Sequence, residues 1–117
     1  VPISRLTECL LETKADCDRE NLIYGIVGHV GDGNFHVQML VDPSDPNDVA
    51  RAESVNERMV HRAIAMDGTC TGEHGIGLHK LDFLIHEAGE DAVDLMRTIK
   101  HALDPNNIFN PGKVIRW

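Results

Sequence analysis

Asn21 to Val41 reads NLIYGIVGHVGDGNFHVQMLV, and the way this stretch folds decides the architecture. NLIYGIVGHV and NFHVQMLV each read as a strand, and the glycine-rich centre between them can do little but turn. Asp-Gly is the strongest short hairpin signal, because a type I′ turn needs φ > 0 at both central residues. With Asp32-Gly33 at the turn centre, Gly31 faces Asn34, Val30 faces Phe35 and His29 faces His36. Directly opposed residues share a sheet face with Cβ atoms about 4.5–5.5 Å apart, so two imidazoles there can converge on one metal ion. In this register Tyr24, Ile26, Val30, Phe35, Val37, Met39 and Val41 fall on one face. His29, His36 and Gln38 fall on the other, with Gly25 and Gly31 leaving space around them. One face packs a core and the other lines a cavity; the plainer alternative is a solvated face carrying two surface histidines.

The rest of the chain bounds the setting. At 117 residues it has the size of one modest domain, and 42% hydrophobic residues suffice for a core, mostly aliphatic given five aromatics. The net charge of −8, without a basic stripe, argues against nucleic acid and anionic membrane surfaces. Cys9, Cys17 and Cys70 form no C-x-x-C pair and read as reduced thiols, the first two structural. No apolar run approaches the roughly 18 residues of a membrane span. The chain opens on Val1-Pro2 rather than methionine, so a piece of a longer protein is expected.

Helical patterns flank the hairpin. Ser4 is a plausible N-cap, and Leu6, Cys9, Leu10, Thr13 and Cys17 follow at three- and four-residue steps, predicting a helix to about residue 18. Asp45 caps and Pro46 starts a second helix with the stripe Val49, Ala52, Val55, Met59, Ala63 and Ile64, ended by Gly68. TCTGEHGIGLHK is a Gly/Thr loop with a short strand at its start. A short helix over Leu81 to His86 follows, then one marked by Val93, Met96, Ile99 and Leu103 that stops before Pro105, then a tail of turns. Helices interleaved with a hairpin predict an α+β fold: an antiparallel sheet whose central hairpin is packed by helices. Two strands alone are marginal, so further strands must come from missing sequence or a partner.

A second cluster is TGEHGIG, where Glu73 and His74 sit between Gly72, Gly75 and Gly77. Glycine on both sides lets backbone approach a ligand closely. Glu73 completes a His/His/Glu set with His29 and His36, a known catalytic combination for zinc with positions left for substrate. His74 then stands beside the metal, and an imidazole titrates near neutral pH, as a general base must. A loop-capping role is the alternative for EHG alone. His61, His79, His86 and His101 lie in or beside helical patterns and read as structural or solvated, and Lys80 as a surface lysine.

VPISRL, GHVGDGNFH, GTCTGEHGIG and LDPNNIFNPGK occur in that order. Together they closely resemble the C-terminal part of FAD-linked 2-hydroxy-acid oxidoreductases of the D-lactate dehydrogenase and glycolate oxidase flavin-subunit type, within the vanillyl-alcohol oxidase fold group. The likeness covers nearly the whole chain. It implies that residues 1–104 are the later part of a substrate-binding cap domain, and 105–117 a tail returning to an FAD-binding domain absent here. It implies metal binding by His29, His36 and Glu73, His74 as base, and Asn110 near the flavin site. Members acting on 2-hydroxyglutarate carry Asn two residues after the second histidine, at a substrate contact. Gln38 stands there in this chain.

The expected function is therefore part of an FAD-dependent oxidation of a D-2-hydroxy acid, D-lactate or glycolate-like, to the 2-oxo acid. FAD is the cofactor, held mainly by the missing domain. A divalent metal accompanies it, with zinc suited to the donors and manganese or iron open. The expected partners are the small acid and the FAD-binding domain of the same polypeptide, with a homo-oligomer open and no nucleic acid. The expected location is the cytoplasm, compatible with peripheral membrane attachment. Two alternatives use the same ligands: a metal-dependent hydrolase, and a non-catalytic metal-stabilised interaction module. This piece alone is expected to be catalytically silent, and to expose a large apolar surface where it meets the flavin domain.

Overall fold

The computed structural model describes residues 1–117, as two compact units, Val1–Thr69 and Cys70–Trp117. The first runs α1 (Ile3–Arg19), β1 (Ile23–His29), β2 (Asn34–Leu40) and α2 (Pro46–Ala65). The second runs α3 (Leu81–Ala88), α4 (Glu90–Leu103) and a tail of turns. Four helices and one antiparallel strand pair make the predicted α+β class.

In the first unit α1 buries Leu6, Cys9, Thr13, Asp16 and Cys17, the inner face of a 3.6-residue period. It begins ahead of Ser4. Pro2 precedes the first turn and its carbonyl accepts from the Arg5 N–H at 2.9 Å, so the expected Ser4 cap lies inside the helix. At its end Asn21 takes φ 53°, and the Leu22 N–H reaches back to the Cys17 carbonyl at 3.1 Å. This is a left-handed C-terminal cap, which folds buried Leu22 onto Cys17. α2 starts as predicted: the Asp45 carboxylate accepts from the Asn47 N–H at 2.9 Å and Pro46 opens the helix. It ends differently. Asp67, at φ 60°, takes the left-handed position, and Gly68 follows with its N–H on the Ala63 carbonyl at 2.9 Å. Gly68 meets a steric need, since a Cβ there would lie 2.6 Å from that carbonyl oxygen.

β1 and β2 pair with Gly25 opposite Gln38, Val27 opposite His36, Gly28 opposite Phe35 and His29 opposite Asn34. Tyr24, Val37 and Met39 lie against a core of Cys17, Leu22 and Val55, with Ala52 beside them. Fully buried Val55 alone contributes roughly 1.5–3 kcal/mol by leaving water. Behind this core lies an ionic centre. The buried Asp16 carboxylate accepts from Arg62 Nη2 and, at 2.6 Å, from Arg19 Nη1, with Arg58 Nε at 3.3 Å. Arg62 also reaches Thr13 Oγ1 at 3.0 Å and Glu12 at 2.8 Å, tying α2 to α1.

In the second unit Gly89, at φ 83°, ends α3 and starts α4. Glu90 and Asp91 in the first turn of α4, and Lys100 and His101 in the last, match the helix dipole. Asp104 then holds the tail: its buried carboxylate accepts from Lys100 Nζ and from the backbone N–H groups of Ile108 and Phe109, both at 2.9 Å. The expected short strand at the start of the Gly/Thr loop does not form. The Cys70 N–H goes to the Glu87 carboxylate at 2.7 Å instead of to a strand partner.

Candidate metal and substrate site

His29 ends β1 and His36 lies within β2, the first exposed and the second half-buried. They are not directly opposed, as the Asp32-Gly33 turn predicted. Residues 30–33 form a four-residue loop, with a single 3-10 turn over Val30–Asp32 and Gly33 in the left-handed conformation at φ 69°. Only Gly33 needs φ > 0, so the type I′ geometry is absent and the register moves by two residues. A Cβ on Gly33 would lie 1.9 Å from the Val1 carbonyl oxygen, so packing against the first residues also requires glycine.

A shift of two preserves the faces. His29, His36 and Gln38 still share one side of the hairpin, and the imidazoles are now diagonal neighbours, a spacing of about 7–8 Å between Cα atoms. Gly25 lies opposite exposed Gln38, and no atom lies within 4 Å of where its Cβ would stand. The floor around the glutamine is therefore open. Sequence reasoning missed the apolar residues on this side: Ile23, Val27 and Leu40 are 70%, 53% and 67% exposed. The signal was the parity of β1, since odd positions carry Ile23, Gly25, Val27 and His29 together. An open apolar surface surrounding imidazoles suits the walls of a site better than a solvated sheet face.

In the second unit Glu73 and His74 lie in the glycine loop as predicted, both exposed. The Glu73 carboxylate stands 3.6 Å from His74 Nε2. Thr71 Oγ1 donates to the Gly75 carbonyl at 3.1 Å, and Gly75 and Gly77 hold φ of 75° and 55°. No atom lies within 4 Å of a Cβ position on either glycine, so a ligand can approach the backbone from open space. Asn110 lies in the tail at φ 48°. It lines a groove of about 740 Å³ with Met96, Ile99, Leu103 and Phe109, flanked by Lys100 and Lys113. The exposure of Ile99, Leu103, Ile108 and Phe109 here agrees with the apolar surface expected from the sequence.

The three thiols are free and buried. Burial, followed by the hydrogen bond and charge of Glu87, pushes the Cys70 thiol up to about 11. It is a protonated packing group at neutral pH, not a nucleophile.

Residues 1–114 match the family model of the C-terminal domain of FAD-linked oxidases. The chain belongs to that family. Among its relatives, a zebrafish protein named "Probable D-lactate dehydrogenase, mitochondrial" is 54% identical over 115 residues, which cover 98% of this chain and 23% of the relative. The glycolate oxidase subunit GlcD of Bacillus subtilis is 39% identical over 87 residues, 74% of this chain and 18% of the relative. The D-2-hydroxyglutarate dehydrogenase of Xanthomonas citri is 36% identical over 118 residues, 97% of this chain and 25% of the relative. The chain thus spans a quarter or less of the length of these relatives. Membership of an oxidoreductase family favours the flavoenzyme reading over the hydrolase and interaction-module alternatives. No helix is long and apolar enough to cross a membrane.

Proposed function

We propose that this chain is the later part of the substrate-binding cap of an FAD-dependent oxidoreductase that converts a D-2-hydroxy acid to the 2-oxo acid. The observation that carries this is the family match over residues 1–114. The choice of a small acid, D-lactate or glycolate-like, rests on the 54% identity to the D-lactate dehydrogenase-named relative against 36% to the 2-hydroxyglutarate one. It rests also on Gln38 in place of the asparagine that family resemblance associates with the longer acid.

The donor chemistry fits a divalent ion. Two imidazoles on one hairpin face, and a carboxylate on an unencumbered loop, are the ligand types of a borderline cation such as zinc. His29, His36 and Glu73 would hold it, leaving positions for substrate. When bound, the cation supplies Lewis acidity toward the carboxylate and 2-hydroxyl of the acid, and FAD supplies the two-electron acceptor. The residues of this chain do the rest. His74 takes the hydroxyl proton, as the C2 hydrogen leaves with its electron pair. Glu73 stands 3.6 Å from His74 Nε2, so ligand and base are carried on one short segment. Gln38, on the same face as the two histidines, would lie against the substituent on C2 and limit its size. Ile23, Val27 and Leu40, exposed on the same face, would give the site apolar walls.

The tail, residues 105–117, returns to the FAD-binding domain of the same polypeptide, with Asn110 and the groove beside it facing the flavin. Three free cysteines suit a reducing compartment. That condition fits the cytoplasm and is compatible with the location in the zebrafish relative's name. Neither peripheral membrane attachment nor a homo-oligomer conflicts with this role.

The test is anaerobic flavin bleaching in the full-length protein, offered D-lactate, glycolate and D-2-hydroxyglutarate separately. D-lactate or glycolate is expected to reduce the flavin at least tenfold more efficiently than D-2-hydroxyglutarate. A preference for the longer acid would overturn the assignment to Gln38, and no bleaching by any of the three would overturn the proposed activity.

A further inference from the structure

Val114 is β-branched and yet holds φ at 68°, where such residues are genuine outliers. The Ile115 N–H donates to the Lys113 carbonyl at 2.8 Å across it, closing a three-residue γ-turn of the rare positive-φ kind. The turn directs the Val114 N–H onto the Gly77 carbonyl, at 2.8 Å. Behind it the chain reverses through Asn110 and Gly112, at φ 48° and 72°, with the Lys113 N–H on the Asn110 carbonyl at 3.2 Å. Strain of this sort persists only where the surroundings hold it, and it gathers at functional segments.

Gly77 closes the loop that carries Glu73 and His74. The far end of that loop is tied by the Cys70 N–H to Glu87 at 2.7 Å, and its middle by Thr71 Oγ1 to the Gly75 carbonyl. Gly75 and Gly77 have nothing within 4 Å of a Cβ position, so at those two positions hydrogen bonds rather than side-chain packing hold the backbone. We propose that the Asn110–Val114 tail is a positioning element for this loop: the Val114 N–H fixes the Gly77 carbonyl and so the direction in which Glu73 and His74 project. This rests on the reading of Glu73 and His74 as site residues. Val114 itself touches no reacting group.

The test compares variants in the full-length holoenzyme. Val114→Pro removes the N–H and cannot adopt φ 68°, whereas Val114→Gly keeps the N–H and relieves the strain. Val114→Pro is expected to weaken zinc binding, read by chelator competition, by roughly 10- to 100-fold, the usual effect of losing a support behind a ligand. Proteolytic cleavage within residues 71–77 is expected to accelerate in parallel. Val114→Gly should stay within about twofold of the parent in both. Should Val114→Pro fail to fold, Gly112→Ala strains the same reversal in open space, and an intermediate weakening is expected. Parental zinc affinity and parental cleavage rate in folded Val114→Pro, or in Gly112→Ala where it is needed, would overturn the proposal, as would Val114→Gly losing as much as Val114→Pro. His74→Ala separates the two claims: full turnover in that variant defeats the site reading, whereas an inactive His74→Ala beside a parental Val114→Pro defeats only the positioning role.

Discussion

Replacing His74 with alanine in the full-length enzyme is expected to lower kcat by about 100- to 10,000-fold, the range a positioned general base contributes. In the proposed reaction the hydroxyl proton leaves as the C2 hydrogen departs, and without the His74 imidazole it would pass to water. His74 is 70% exposed at its side chain, and its loop has open space at Gly75 and Gly77. Truncation should therefore leave the fold intact and thermal unfolding unmoved. KM should change little, because cation and Gln38 contacts to the acid survive. Glu73→Gln should behave differently, losing metal affinity as well as rate. Turnover in His74→Ala equal to that of the parent would exclude His74 as the base.

The second large effect is structural. Asp16→Ala is expected to destabilise the first unit by about 3–5 kcal/mol, measured by urea denaturation. The Asp16 side chain is 4% exposed and that of Arg62 14%, and removing the carboxylate leaves the Arg62 charge in a largely dry place without its main counter-ion. Glu8→Ala is the contrast. Its pair with Arg5 is 51% and 42% exposed at the side chains, so its loss should leave the urea midpoint essentially unmoved. The same centre predicts acid sensitivity. Burial acts to raise the Asp16 pKa, but hydrogen bonds from Arg62 and Arg19 and the charges of Arg62 and Arg58 outweigh it, leaving the group below its ordinary 3.8. A depressed native pKa stabilises the fold above the unfolded value, and that contribution is lost as pH falls through the native one. Stability should thus hold at neutral pH and fall below about pH 4, and Asp16→Ala should flatten that fall. A variant as stable and as acid-sensitive as the parent would contradict this account.

The hairpin was legible because period two survives any even shift in register. His29, His36 and Gln38 therefore shared a predicted face although the predicted pairs were wrong by two residues. The register itself depended on which residue needed a left-handed conformation. Asp32-Gly33 looks like a two-residue turn, but only Gly33 takes φ > 0, and the reason lies in Val1, more than thirty positions away in the chain. Helix ends shifted for a similar cause. Asp67 rather than glycine caps α2, because the next position must be bare to pass the Ala63 carbonyl. Asp16 was overlooked because an aspartate on an apolar stripe reads as an interruption until its arginines are located; Arg62 is 46 residues distant. The loop around Glu73 and His74 was legible as a loop from its glycines. The hydrogen bond from Val114 to Gly77 was not, since no pattern marks a strained valine.

The central claim is that two imidazoles from one hairpin face and one carboxylate from the glycine loop hold a single cation. Anomalous diffraction from crystals of the full-length holoenzyme, collected on both sides of the zinc absorption edge, tests it most directly. The account predicts one anomalous peak bounded by a nitrogen of His29, a nitrogen of His36 and an oxygen of Glu73, each at about 2.0–2.2 Å. A peak held by other residues, or a catalytically active crystal with no anomalous peak between these three side chains at the edge of any divalent metal it contains, would contradict it.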